Sequence, residues 1–235
     1  MERNPHSIEN RLLAGLPSEE YQRLQAHLEL VQLSKRRTLY QAGDFIGHVY
    51  FPNSGMASLL ALTQSGATVE IAMVGNEGML GLPVILGANK APYQIMVQLP
   101  GDAVRIKTNA IRAEFKRGGA LQDLLLNYTH ELFTQIAQST VCNRFHTVEK
   151  RLCRWLLIAH DRADGDTFHL TQEIISYMLG TPRTGVTMAA GSLQDAGLIR
   201  YKRGKITILD RPGLEDAACE CYAIIADSLD HFLAP

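Results

Sequence analysis

The chain has 235 residues, 46% of them hydrophobic and 20% charged, with 23 Lys and Arg nearly balancing 24 Asp and Glu. That length allows two small domains with a core each, and that composition excludes a chain that is mainly disordered. The longest apolar runs, Trp155 to Ala159 and Met56 to Leu62, fall far short of the roughly 20 residues a membrane span needs, and Met1 to Asn10 lacks the pattern of a signal peptide, so a cytoplasmic chain with no membrane partner is expected.

The balanced total hides a segregation. Residues 1–142 hold 12 cations and 12 anions, residues 143–211 hold 11 against 7, and residues 212–235 hold none against 5. The positive excess sits in one stretch of the second half, where a nucleic-acid contact would draw on it. Cys142, Cys153, Cys219 and Cys221 lie in the second half too, and reduced thiols are expected of them. Cys219 and Cys221 are one residue apart rather than the two to four common between zinc ligands, and no second pair follows, so no metal and no cofactor is expected.

Residues 8–30 read as short helices: Leu12, Leu13 and Leu16 precede Pro17, and Ser18 stands as N-cap before Tyr21, Leu24 and Leu28. From Leu33 to Lys107, short apolar or alternating segments are broken by turns at Gly43-Asp44, Asn53-Ser54-Gly55, Gln64-Ser65-Gly66, Gly75-Asn76-Glu77-Gly78 and Pro100-Gly101-Asp102. Turns at that spacing predict an antiparallel sandwich or roll. After Lys107 the glycine punctuation almost stops. Leu121, Leu125, Tyr128, Leu132 and Ile136 recur at three- or four-residue intervals, with Leu124, Phe133 and Ala137 widening the stripe. A helix with two apolar faces needs a second surface to bury; its copy in a homodimer supplies one, and shelter within a single chain is the alternative. Asn143 to Thr147 ends this helix at a hinge, and Val148, Leu152, Trp155, Leu156 and Ala159 mark a separate amphipathic helix.

From His169 to Asp210 the local signals fall into one order. Thr171 caps a helix holding Ile174, Ile175, Met178 and Leu179, and Gly180 turns the chain sharply. Thr181 caps the next helix with Pro182 at its first position, and Val186, Ala189, Ala190 and Leu193 face inward before Ala196-Gly197 ends it. Two helices joined by a tight glycine turn are a helix-turn-helix, and Leu198 to Leu209 adds a β-hairpin with a basic tip, the wing. Arg183, Thr184, Thr187 and Met188 then stand on the outward face of the second helix. Arg183 suits a bidentate contact to guanine, while Lys202, Arg203 and Lys205 suit phosphates, and Thr171 and Thr181 at the helix starts complete the candidate DNA-binding set.

The whole pattern resembles the CRP/FNR family of bacterial transcription regulators over roughly residues 10–220. The resemblance rests on Gly43-Asp44, on Gly75-Asn76-Glu77-Gly78-Met79-Leu80-Gly81, on Glu149 to Leu157, and on Leu179-Gly180-Thr181-Pro182-Arg183 followed by Leu193 to Ile199. It implies an α+β chain: a cyclic-nucleotide-binding-like β-roll with N-terminal helices (1–118), a long dimerisation helix and hinge (119–145), and a winged helix-turn-helix domain (146–235). It also places an effector pocket at Gly78, Met79, Leu80, Gly81 and Lys90, and the dimer interface at Leu121, Leu125, Tyr128, Leu132 and Ile136. In the family the roll clasps cyclic AMP with a Glu where Met79 stands, and with an Arg in the stretch that here reads Ala88 to Tyr93 and contains none. A cyclic phosphate without its guanidinium loses charge-assisted hydrogen bonds of about 1.5–3 kcal/mol each, and Lys90 offers charge but not the fork. Thr184 and Met188 replace a Glu and a second Arg of the common family recognition helix.

The expected partners are double-stranded DNA, a second copy of the chain, RNA polymerase and, as an option, an unidentified small-molecule effector. Two alternatives keep the same fold: a cyclic-nucleotide-responsive regulator, or a haem-responsive one using His27, His48 or His130. A ligand-binding module without DNA contact is a third. An enzyme or metal protein built on Cys142, His146 and Cys153 is a rival of another class, but no acid–base pair, phosphate loop or nucleophile motif accompanies them, so no catalytic residue is expected.

Overall fold

The structure, a computed structural model, describes residues 9–233; residues 1–8, 234 and 235, which belong to the expected first and last domains, lie outside the described residues. Two short helices lead the chain, α1 (Arg11–Ala14) and α2 (Ser18–Gln25). Asn10 caps α1 through its side-chain oxygen, and its Nδ2 donates to the Pro52 and Gly78 carbonyls at 2.8 and 3.0 Å. The N-cap of α2 is Pro17 rather than Ser18: the proline backbone is still extended (φ −55°, ψ 145°), which makes Ser18 the first helical residue.

Seven strands follow, β1 (Glu29–Leu33), β2 (Thr38–Tyr40), β3 (His48–Pro52), β4 (Met56–Leu62), β5 (Thr68–Val74), β6 (Gln94–Leu99) and β7 (Gly101–Lys107). They build one sheet of order β1-β7-β3 and one of order β2-β6-β4-β5, the roll that the turn spacing predicts. In the first sheet, Glu29 lies opposite Arg105 across an antiparallel pair and accepts from its Nη2 at 2.8 Å. Two of the expected turns meet each other. The Asn53 and Ser54 side chains each donate to the Asp102 carboxylate at 2.8 Å, and a Cβ on Gly55 or Gly101 would strike the opposing backbone, so glycine is required at both.

Helix α3 (Thr108–Arg117) is separated from α4 (Ala120–Phe145) by Gly118 and Gly119, both at positive φ. Helix α4 is one unbroken helix of 26 residues. The C-terminal half continues with α5 (Val148–His160), β8 (Thr167–His169), α6 (Gln172–Leu179), α7 (Arg183–Asp195), β9 (Ile199–Lys202), β10 (Lys205–Ile208), α8 (Arg211–Ala217) and α9 (Cys221–Leu233). Helix α5 is expected to be amphipathic, yet every residue from Arg151 to Ala159 is buried, because α6, α7, α8 and α9 all pack on it. Trp155 lies at its centre, fully enclosed.

The chain divides into two compact units, one of Val74–His130 with the residues up to Ala57, the other of Ser58–Met73 with the residues from Glu131 onward. The β4–β5 hairpin thus belongs with the C-terminal unit, where the Val69 methyl group stands 3.1 Å from the position a Gly180 Cβ would take. The same hairpin buries an acid. Glu70 is 5% exposed and accepts a hydrogen bond from the Ser58 hydroxyl. Burial pushes its carboxyl up to about 7, against the opposing pull of Ser58, Trp155, Arg154 and Arg162.

Candidate nucleic-acid interface

The helix-turn-helix forms where its local signals place it. Thr171 accepts from the Ile174 N–H at 3.3 Å and opens α6, and Gly180 closes it in the left-handed conformation, φ 54° and ψ 41°. Helix α7 starts one residue later than expected. Its N-cap is Pro182 rather than Thr181, and no side chain caps it; Thr181 instead donates its N–H to the Ser176 carbonyl and so belongs to the turn. The inward face of α7 is Val186, Ala189, Ala190 and Leu193, all buried. Arg183, Thr184, Thr187 and Met188 are exposed, and Met188 is 74% exposed despite its apolar side chain.

These side chains differ in freedom. The Thr187 hydroxyl lies 3.0 Å from both Gln172 Oε1 and the Arg183 carbonyl, which holds it against the start of α6. Gln172 thereby joins the outward face, a residue that sequence periodicity does not single out because it lies one position after the Thr171 cap.

The wing is a three-stranded sheet of order β8-β10-β9. Lys202 pairs with Lys205 across a two-residue turn in which Arg203 and Gly204 both have positive φ, 52° and 73°. Such a turn matches the twist of the flanking strands and directs the three exposed cations outward at the tip. Two contacts fix the wing against the helices: the Leu170 N–H donates to the Gly204 carbonyl at 2.8 Å, and the Tyr201 hydroxyl donates to the Leu170 carbonyl at 3.1 Å.

At the expected effector segment, Met79 and Leu80 are each 1% exposed. Leu80 exchanges two backbone hydrogen bonds with Tyr50, at 2.8 and 3.0 Å, and the Tyr128 hydroxyl donates to the Met79 carbonyl at 3.3 Å. A Cβ on Gly78 would collide with the Tyr128 ring, and Gly81 turns the chain at φ 95°. Lys90 is exposed, its ammonium 5.2 Å from the centre of the Phe45 ring. The Arg112 guanidinium donates to the Val84 and Ala88 carbonyls, Arg105 is paired with Glu29, and the Ala88 and Ala91 N–H groups already donate to Pro83 and Asp44. The expected effector segment thus presents a buried thioether at Met79 and an Arg112 guanidinium already engaged by backbone carbonyls.

The stripe expected at the dimer seam is instead the inward face of α4. Leu121, Leu125, Tyr128 and Leu132 are buried within the single chain and Ile136 is half-buried, because one turn-by-turn periodicity fits either apolar face of a helix. Another face carries the exposed apolar residues, Leu126 (47%), Phe133 (62%) and Val141 (43%).

Sequence spacing also misses a cluster of thiols. Cys142, His146, Cys219 and Cys221 bring one ligand atom each into a group whose members lie within 4.8 Å of one another, whereas Cys153 is buried outside it. The reading of Cys219 and Cys221 as an isolated pair looks along the chain only, and the second pair arrives from 73 residues away in sequence, counted from His146 to Cys219.

The chain matches the Crp-like helix-turn-helix domain over residues 150–217 and the cyclic nucleotide-binding domain over residues 30–117. It is 24% identical over 185 residues to the "Global nitrogen regulator" of Nostoc sp. (strain PCC 7120 / SAG 25.82 / UTEX 2576), covering 74% of this chain and 82% of the relative. Its fold is that of a transcriptional regulator of the crp/fnr family from Eubacterium rectale ATCC 33656, with TM-score 0.72, 19% identity and coverage of 90% and 99% of the two chains. FixK2 from Bradyrhizobium japonicum gives TM-score 0.70 at 15% identity, covering 82% and 98%. Among the described residues no helix is long and apolar enough to cross a membrane. With a helix-turn-helix, a wing and a roll in this order and matched in both halves, the chain belongs to the CRP/FNR family of transcription regulators, which bind DNA through that helix-turn-helix.

Proposed function

We propose that the chain regulates transcription as a homodimer that reads DNA sequence through the exposed face of α7 and does not respond to cyclic AMP. The observation that carries this reading is the pairing of an outward α7 face, Arg183, Thr184, Thr187 and Met188, with a wing tip of Lys202, Arg203 and Lys205 fixed against the same helix pair. Arg183 meets O6 and N7 of a guanine, and Met188 offers an apolar contact to a thymine methyl. The uncapped start of α7 leaves its first N–H groups, next to Thr181, for a phosphate; Thr171 stands at the corresponding end of α6. RNA polymerase is the further partner that transcription control implies. Titration of a DNA duplex at several salt concentrations tests the reading: log K should fall by about 0.9 for each phosphate contact per tenfold rise in salt, and binding indifferent to salt would contradict it.

The exposed α4 face supports the dimer. Leu126, Phe133 and Val141 sit on one stripe of a helix 26 residues long, and burying each large apolar side chain against a partner is worth about 1.5–3 kcal/mol. Replacing Leu126 and Phe133 by Asp is expected to convert the dimer to a monomer in sedimentation velocity at micromolar concentration. A wild-type monomer, or a doubly substituted dimer, would exclude this seam.

Met79 and the engaged Arg112 support the absence of a cyclic-AMP response. Calorimetric titration of the purified chain with cyclic AMP is expected to show no saturable heat in the micromolar range. Saturable binding there, abolished by a substitution at Met79 or Lys90, would reverse the assignment and place the effector at Gly78 to Gly81.

A further inference from the structure

We propose that Cys142, His146, Cys219 and Cys221 bind one Zn2+ ion. Cys142 and His146 are four residues apart at the end of α4, and Cys219 and Cys221 bracket the start of α9, so the four ligand atoms converge from two segments inside the C-terminal unit. Their spacing is that of a mononuclear site. A tetrahedral ion with arms of about 2.3 Å to sulfur and 2.0–2.1 Å to nitrogen holds its ligand atoms roughly 3.5–3.8 Å apart. Here the Cys142 and Cys219 sulfurs are 3.6 Å apart, Cys221 Sγ is 3.4 Å from His146 Nδ1, and no pair exceeds 4.8 Å. An iron–sulfur cluster needs room for several atoms between its ligands, which that spacing denies. Three soft thiolates and an imidazole select zinc over magnesium or calcium, and four protein ligands with no open position make the site structural rather than catalytic.

The surroundings are those of a ligated site. Glu220 lies 3.3 Å from His146 Nε2, the arrangement that holds the imidazole with Nδ1 toward the ion. The Gln138 amide donates to Cys221 Sγ at 3.1 Å. All three cysteines are buried, and so are Arg151 and Arg154 on α5, each with an Nε that has no hydrogen-bond partner. Three thiolates and a divalent ion leave one negative charge, and those buried guanidiniums supply the compensation that an apolar core would not need. The neutral alternative, three thiols and an imidazole packed together, would satisfy these groups only through weak S–H donors. Once formed, the site ties the last turn of α4 and the hinge after it to α9. It does not depend on the DNA-binding reading.

The test uses the full chain, purified without chelator. Elemental analysis should find one zinc per chain. After removal of the metal under reducing conditions, titration with Co2+ should develop the sulfur-to-metal charge-transfer and intense ligand-field bands of a tetrahedral thiolate site, saturating at one equivalent and bleached by Zn2+. Cys219→Ser and Cys221→Ser should lose those bands, Cys153→Ser should keep them, and His146→Cys should shift them toward the all-thiolate pattern. Glu220→Gln, outside the ligand set, should weaken Zn2+ binding by roughly 10–100-fold. The proposal is overturned if the reduced wild-type chain binds neither ion stoichiometrically, or if Cys153→Ser loses the bands as fully as Cys219→Ser. A Cys142–Cys219 disulfide that returns on reduction to a chain without metal affinity would also overturn it. The wild-type titration decides the matter even if a cysteine variant does not fold.

Discussion

Replacing Arg183 by Ala is expected to weaken binding to a selected operator by about 1–3 kcal/mol per half-site, a factor of roughly 5–150, while binding to random duplex changes much less. The side chain stands at the first residue of α7 and is exposed, so the expected loss is one of base recognition rather than of folding. Preference at one guanine should relax with it. Lys202 and Lys205 pair across the wing turn, and the proposed reading gives them phosphate contacts. Alanine at either should lower affinity for operator and random duplex alike and reduce the salt slope by about one unit per contact. Titration of each variant on both duplexes separates the roles. Equal loss on both for Arg183→Ala, with selective loss of the operator for the wing variants, would invert them.

Replacing Glu70 by Gln should stabilise the chain above neutral pH and leave it nearly unchanged at pH 5. The Glu70 carboxyl is lifted by burial from 4.5 to about 7, so between those values the folded chain holds a proton that the unfolded chain releases. Stability therefore falls as pH rises through that window, and the full loss of about 3 kcal/mol is present above pH 7. An amide keeps the shape and can accept from Ser58 without the buried charge. Urea denaturation at pH 5 and pH 8 should show the wild type losing that much more than Glu70→Gln between the two conditions. The same pH dependence in both proteins would mean that Glu70 is not the titrating group.

Local order was the legible part of this fold. Thr171, Gly180 and the Arg203-Gly204 turn each act on backbone within four residues of themselves, so the helix pair and the wing could be read directly from the residues. The boundary of α7 shifted by one residue because Pro182 is compatible with either the cap or the first helical position, and only the extended ψ of 145° decides between them. The strands of the roll were legible as a density of turns, but their order was not, since pairing β7 between β1 and β3 depends on contacts between segments far apart in sequence. Helix α9 escaped notice because its Cys221 to Leu233 stretch carries few charges to mark a face.

Features that need the third dimension were read wrongly or not at all. The periodicity of α4 identified two apolar faces but not which of them the chain itself covers: Leu125 is 0% exposed and Phe133 62%, a difference that lies in what packs on each face rather than in either residue. Glu70 carries no local mark of burial in the sequence, and only the folded β4–β5 hairpin encloses it. The thiol group was legible only in part: Cys142 and His146 stand four residues apart, but Cys153 is not of the group and Cys219 and Cys221 are. Cys142 and Cys221 are 79 positions apart, and no local spacing rule joins them.

Selection of bound fragments from genomic DNA by the purified wild-type chain, at a salt concentration that suppresses non-specific binding, is the most direct measurement of the central claim. The account predicts recovered fragments that share one two-fold-symmetric sequence, with half-sites centred about one helical turn, roughly 10–10.5 base pairs, apart and a guanine in each placed to meet Arg183. Fragments with no common sequence, released together as salt rises, would contradict it.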